Sequence, residues 1–151
     1  LKGYTAFILF TLFLILPQTI SLNTKGFSDI IDITPQVLSI AKRSLIANGL
    51  ITVICPGSTG SITTIEYESG VLQDLKDAFE RIAPSDMPYE HNERWGDGNG
   101  FSHVRAALMK PSLTVPLVNG KLTLGTWQQI VFIDFDNRGR HRDIVVQIIG
   151  D

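Results

Sequence analysis

Short β-branched runs, two amphipathic helical stripes and a strand-rich final quarter punctuated by tight-turn signals predict an α+β fold. The expectation is a single domain with a largely antiparallel β-sheet and helices packed on it. The bulk numbers suit such a domain: 151 residues, 44% hydrophobic and 19% charged, enough to enclose one core and too apolar for a disordered chain. A net charge of -2, with the most basic run (residues 138–142) short and followed by Asp143, gives no electrostatic footprint for nucleic acid. Cys55 is the only cysteine, which excludes an intrachain disulfide and a cysteine zinc cluster.

Taken in order, residues 1–17 differ from the rest. Residues 6–16 are apolar except for Thr11, with Lys2 before and Pro17 after. The run is too short for a bilayer-spanning helix, which needs ~20 residues. It fits the apolar part of a signal peptide without a clean cleavage site, an extension from an upstream start, or a buried strand. The expected division is residues 1–17 as an apolar N-terminal extension and 18–151 as the domain, with no membrane association of that domain. Residues 19–22 and 27–33 are β-prone pieces around a turn at residues 23–26. Thr34 reads as a helix N-cap with Pro35 at the first helical position, and Val37, Ile40, Ala41 and Leu45 follow at helical spacing to a stop at Asn48-Gly49.

Residues 50–55 read as a buried strand, with Cys55 a buried inert thiol, and 61–67 as a second strand. Between them Gly57-Ser58-Thr59-Gly60 reads as a simple turn. A weaker alternative is a set of backbone N–H groups offered to an anion, although no Walker lysine follows. Ser69 caps a helix whose apolar stripe is Val71, Leu72, Leu75, Ala78, Phe79 and Ile82, ended by Pro84. Residues 103–109 form a short helix behind Ser102. Residues 113–118 and 121–124 make a hairpin on the type I′ signal Asn119-Gly120. Residues 127–135 and 143–149 are expected to pair around the turn 137–140, with Trp127 as a buried aromatic anchor in the core or between subunits.

Residues 89–103 fit none of these patterns. The segment holds His91, Asp97, Asn99 and His103 among three glycines, and no apolar period runs through it. Such a stretch is either a solvated loop or a site. Gly96, Gly98 and Gly100 permit sharp bends that aim the polar side chains at one point. Two imidazoles and a carboxylate, His91, His103 and Asp97, suit Zn²⁺ or another divalent ion, with Glu66 as a further carboxylate if the fold brings it near. The same groups equally suit a general base with its orienting partner, or a histidine pair at a loop edge with no chemistry. Arg140 and Arg142 alternate near a strand start, where they either bind phosphate or pair with Asp134, Asp136 or Asp143 at the surface.

Several ordered motifs resemble one family. Gly57-Ser-Thr-Gly-Ser-Ile-Thr-Thr-Ile-Glu66, Tyr89-x-His91, Asp97-Gly-Asn99-x-x-x-His103, Pro116 followed by Gly120-x-Leu-x-Leu-Gly-Thr-Trp-Gln128, and Gln147-Ile-Ile-Gly150 are similar to the YjbQ family of secondary thiamine-phosphate synthase enzymes. The resemblance runs from about Ile20 to Gly150. It implies a small α+β domain, a cytoplasmic homotrimer, and a polar site built from the motif residues. Many members carry His-Thr-Thr or His-Ser-Ser where this chain has Gly57-Ser58-Thr59.

The implied reaction joins a hydroxymethylpyrimidine diphosphate to a thiazole phosphate and releases diphosphate. In that reading Asp97 and Glu66 lie near a divalent metal (zinc or magnesium) or a water, and His91 and His103 are ligands or proton carriers. Asn99 orients them, and Arg140 or Arg142 contacts a small phosphorylated substrate. A metal-dependent hydrolase using the same groups, and a non-catalytic metal- or ligand-binding trimer, are the alternatives.

Overall fold

The computed structural model describes residues 14–151. The chain runs β1 (Leu14–Asn23), β2 (Asp29–Asp32), α1 (Thr34–Ser44), β3 (Gly49–Ile54), β4 (Gly60–Ile65), α2 (Ser69–Ile82), α3 (Glu90–Trp95), α4 (Gly100–Met109), β5 (Ser112–Val118), β6 (Lys121–Leu122), β7 (Gln129–Asp134) and β8 (His141–Gly150). The class is α+β and every strand pair is antiparallel, but the strands divide into two sheets. The larger has the order β1-β8-β3-β5-β6 and the smaller β2-β7-β4.

Alternation in β3, β5 and β8 gives the large sheet one apolar inner face. Ile51, Val53, Val115, Leu117, Ile144, Val146 and Ile148 point inward and meet Val37, Ile40 and Ala41 of α1. Ile62, Ile130 and Phe132, from one face of the small sheet, close this core. The opposite face of the small sheet carries Ile30, Val131, Ile133 and Phe135 against Phe79 of α2 and Ala106 of α4. Phe79 and Phe135 meet edge to face at 4.8 Å between ring centres. β7 is therefore buried on both faces, which accounts for its unbroken run of apolar residues. Among the described residues no helix lies over the outer face of the large sheet, which exposes Leu50, Ile54, Val118 and Ile149.

Several sequence expectations need correction. Residues 127–135 and 143–149 do not pair: β7 and β8 lie in different sheets, because β7 needs apolar cover on both faces and the turn after it crosses from one sheet to the other. Thr34 does not cap α1. Its N–H is held by Asp32 Oδ1 at 2.8 Å, and its hydroxyl accepts from the Ile130 N–H at 2.8 Å, so it ties helix to sheet. The helix stops at Ser44 through Leu45 in the left-handed region, not at Asn48-Gly49. α2 is capped by Glu68, whose carboxylate accepts from the N–H groups of Gly70 and Val71, rather than by Ser69. Trp127 is not in the core; it is 68% exposed.

The hairpin at Asn119-Gly120 forms as read, with φ of 50° and 73°. Cys55 is buried, and that burial pushes its thiol up. The expected extension falls largely on residues 1–13, outside the described residues, while β1 crosses position 18 as a continuous strand. Among the described residues no helix is long and apolar enough to cross a membrane, which leaves β-barrels unaddressed.

Candidate functional site

The segment 89–103 folds into two short helices meeting at a corner. Gly96 ends α3 with φ 66° and its N–H bonded to Asn92 O, and Gly98 turns the chain again at φ 65°. These left-handed positions are where glycine is needed. Gly100 serves differently: a Cβ there would run into the Tyr89 ring, 2.8 Å from Cγ. The corner is fastened by side chains. Asn92 Oδ1 accepts from Gly100 N at 2.8 Å, joining the start of α3 to the start of α4. Asn99 is buried, and its Oδ1 accepts from Ser102 Oγ and from Asn137 N at 3.1 Å. Asn137 Nδ2 donates to Asp97 O at 2.7 Å. Asn99 and Asn137 thus stitch the corner to the chain between β7 and β8.

This folding brings three of the expected residues together. His91 Nε2 lies 3.3 Å from Asp97 Oδ2, and the His91 and His103 rings sit 4.4 Å apart at 47°. Asp97 Oδ1 accepts from Asn99 N at 3.1 Å. What burial Asp97 has would raise its carboxyl, but the Asn99 N–H and the His91 ring outweigh that and hold it below the usual carboxylate range. His91 and Asp97 remain open to solvent, at 31% and 46% of their side-chain surface. Asn99 is buried in the same corner and touches Asp97 through its backbone N–H. Glu66 does not join: it follows the end of β4 remote from Gly60, is exposed, and faces solvent.

Arg140 and Arg142 pair with Asp136 and Asp134, as one reading of the sequence has it, but with carboxylates that are buried and not at the surface. Arg142 grips buried Asp134 with two bonds, Nε to Oδ2 at 2.8 Å and Nη2 to Oδ1 at 2.7 Å, and Nη2 also donates to Thr59 Oγ1 at 2.8 Å. Arg140 Nε sits 2.9 Å from Asp136 Oδ2, which also accepts from Thr59 Oγ1 at 3.1 Å. Burial raises the Asp136 carboxyl, yet the Arg140 contact, the Thr59 hydroxyl and the Arg142 charge bring it below its ordinary value. For Arg142 burial acts to lower the value, and the Asp134 pairing raises it further than burial lowers it. The Asp134-x-Asp136…Arg140-x-Arg142 alternation carries the sequence signal for this cluster, whereas nothing in spacing marks Asn92 or Asn137.

A cleft of about 180 Å³ opens beside His103, lined by Gly57, Ser58, Gly60, His103, Ala106, Ala107 and Pro111. The donor set fits a divalent ion in part. Two ligands at ~2.0–2.1 Å in tetrahedral geometry sit ~3.3–3.4 Å apart, matching the His91–Asp97 separation. No group of three or more His, Cys, Asp or Glu side chains among the described residues is placed to hold a metal ion, so the fit stops at two ligands. The same contact, with Asp97 accepting from Nε2–H, leaves Nδ1 of His91 as a basic lone pair.

The sequence model described as UPF0047 protein YjbQ-like matches residues 18–151. A UPF0047 protein of Methanothermobacter thermautotrophicus is 40% identical over 133 residues, spanning 88% of this chain and 91% of that relative. UPF0047 protein YugU of Bacillus subtilis is 31% identical over 135 residues, 88% and 98% of the two chains. Among solved structures, a YbjQ-like protein of unknown function from Sulfolobus solfataricus P2 superposes with TM-score 0.88 at 29% identity, covering 92% of this chain and 99% of that one. A yjbq/upf0047 family protein from Clostridium acetobutylicum gives TM-score 0.79 at 35% identity, covering 87% and 98%.

Proposed function

We propose, from the premise that this chain belongs to the UPF0047 YjbQ-like family, that the corner between α3 and α4 is the active site of a transferase acting on small phosphorylated substrates. The reaction we assign is the joining of a hydroxymethylpyrimidine diphosphate to a thiazole phosphate with release of diphosphate. The observation that carries this reading is the cluster in which His91 lies against both Asp97 and the His103 ring, beside a cleft that His103 lines. His91, His103 and Asp97 would hold a divalent ion, zinc or magnesium, which when bound neutralises charge on a leaving diphosphate. Asp97 fixes the ring orientation of His91, and His91 or His103 takes up or delivers a proton at the reacting atoms. Asn99 keeps Asp97 in register through its backbone N–H.

The His91–Asp97 contact by itself also favours a metal-dependent hydrolase, since a carboxylate-oriented imidazole activates water. Assembly as a homotrimer is part of the proposal, supported by the apolar outer face of the large sheet. A cytoplasmic location goes with it.

The test is direct assay. Full-length protein, supplied with both substrates and Mg²⁺ or Zn²⁺, is expected to form thiamine phosphate and release diphosphate stoichiometrically, and His103→Ala is expected to be silent. Diphosphate hydrolysis without coupling would favour the hydrolase. Metal uptake with no turnover of any phosphorylated substrate would leave a binding trimer.

A further inference from the structure

We infer that residues 57–59 and Arg142 form a cradle for the phosphoryl group of the substrate, beside the cleft that His103 lines. This deepens the transferase reading and rests on it for the identity of the substrate, though not for the anion site itself.

Four observations lead there. The backbone N–H groups of Gly57, Ser58 and Thr59 belong to no strand or helix and are bonded to none of the described residues. Backbone donors of this kind take an acceptor from outside the fold. Arg142 uses Nε and Nη2 on Asp134 and Thr59, but Nη1 has no partner among the described residues. That atom lies 3.6 Å from where a Cβ on Gly57 would sit, and nothing else comes within 4 Å of the same point. No carboxylate lines the adjoining cleft, where His103 faces Gly57, Ser58 and Gly60.

The chemistry favours a tetrahedral oxyanion. Several separate N–H donors and one guanidinium edge match a phosphoryl group, which carries acceptors in several directions. The bidentate clamp from Asp134 fixes the guanidinium plane before any ligand arrives, so little ordering is lost on binding. Asp134 and Asp136 are matched one for one by Arg142 and Arg140, so the buried acids do not leave a net negative charge behind the cradle. Gly57 has its own part. At φ 141° it holds a conformation side chains rarely adopt, and any side chain there would fill the space in front of Nη1. Glycine at this position keeps the donor open.

The test uses chelator-treated full-length protein titrated with inorganic phosphate at fixed ionic strength, read by phosphorus NMR or calorimetry. Saturable binding is expected without metal. Ser58→Ala should bind within about twofold of the parent, because the serine hydroxyl is not used. Ser58→Asp, which sets a carboxylate at the cradle on an exposed residue, should weaken phosphate about tenfold or more. His103→Ala should still bind phosphate. Absence of phosphate binding in the metal-free parent, or equal binding by Ser58→Asp, would overturn the inference while leaving a metal-centred transferase standing. Phosphate binding that persists in a protein forming no thiamine phosphate would keep the cradle and remove the proposed reaction.

Discussion

Asp136 shows most clearly how one residue couples stability to the site. It is buried, accepts from Thr59, lies against Arg140, and precedes the Asn137 that holds Asp97 and Asn99. Replacing it with asparagine leaves Arg140, a third of whose side chain reaches solvent, short of its countercharge. Solvent screening on the arginine side reduces the cost below that of a fully buried pair, to about 1–3 kcal/mol, and Asp136→Asn is expected to lower the thermal midpoint accordingly. The pH dependence has a fixed sign. The native carboxyl is held below its unfolded value of ~3.9, so its contribution is full above about pH 4 and is lost as pH falls through the native value. The gap in melting temperature between the parent and Asp136→Asn should therefore narrow in acid, and a gap constant down to pH 3 would contradict the assignment.

The corner between α3 and α4 is held by hydrogen bonds more than by packing. α3 buries none of its residues, and its link to α4 runs through Asn92, Asn99 and Asn137. Asn99→Ala would strand the N–H of Asn137, while the Ser102 hydroxyl keeps its bond to the carbonyl of residue 99. A loss of about 1–3 kcal/mol is expected, together with a much larger loss of activity as Asp97 drifts. Retention of full activity in a destabilised Asn99→Ala protein would show that the corner need not be rigid.

Much of this level was legible in advance. The type I′ hairpin, the α2 stripe as far as Phe79 and the grouping of His91, Asp97 and His103 follow from local chemistry and glycine placement, while Ile82, read into that stripe, is 67% exposed. What was not legible depends on contacts distant in sequence. β7 and β8 read as neighbours because both are apolar and joined by a turn, yet an unbroken run such as residues 130–133 calls for cover on both faces, and the packed α2 and α4 provide it on the second. Glu66 matches the motif in sequence but lies along a strand that carries it away from the corner. The α3 helix was missed because six solvated residues carry no apolar period.

At the scale of the whole molecule, the outer face of the large sheet is an apolar surface that no helix covers among the described residues. Leu50 and Ile149 sit opposite each other across β3 and β8, and Pro116 continues the row on β5. An obligate assembly burying this face would cover on the order of 2,000 Å² or more. Light scattering is expected to give three times the chain mass for the parent and one chain mass for Leu50→Lys with Ile149→Lys. A monomeric parent at micromolar concentration would end the trimer reading.

The central claim is that His91, Asp97 and His103 act as one divalent-ion site, and metal uptake at equilibrium tests it most directly. Metal-free parent protein titrated with Zn²⁺ is expected to take up one ion per chain. His103→Ala should take up none at the same concentrations, with the melting curve of the metal-free form nearly unchanged. Equal stoichiometry in the two proteins, or no uptake by the parent, would contradict the claim.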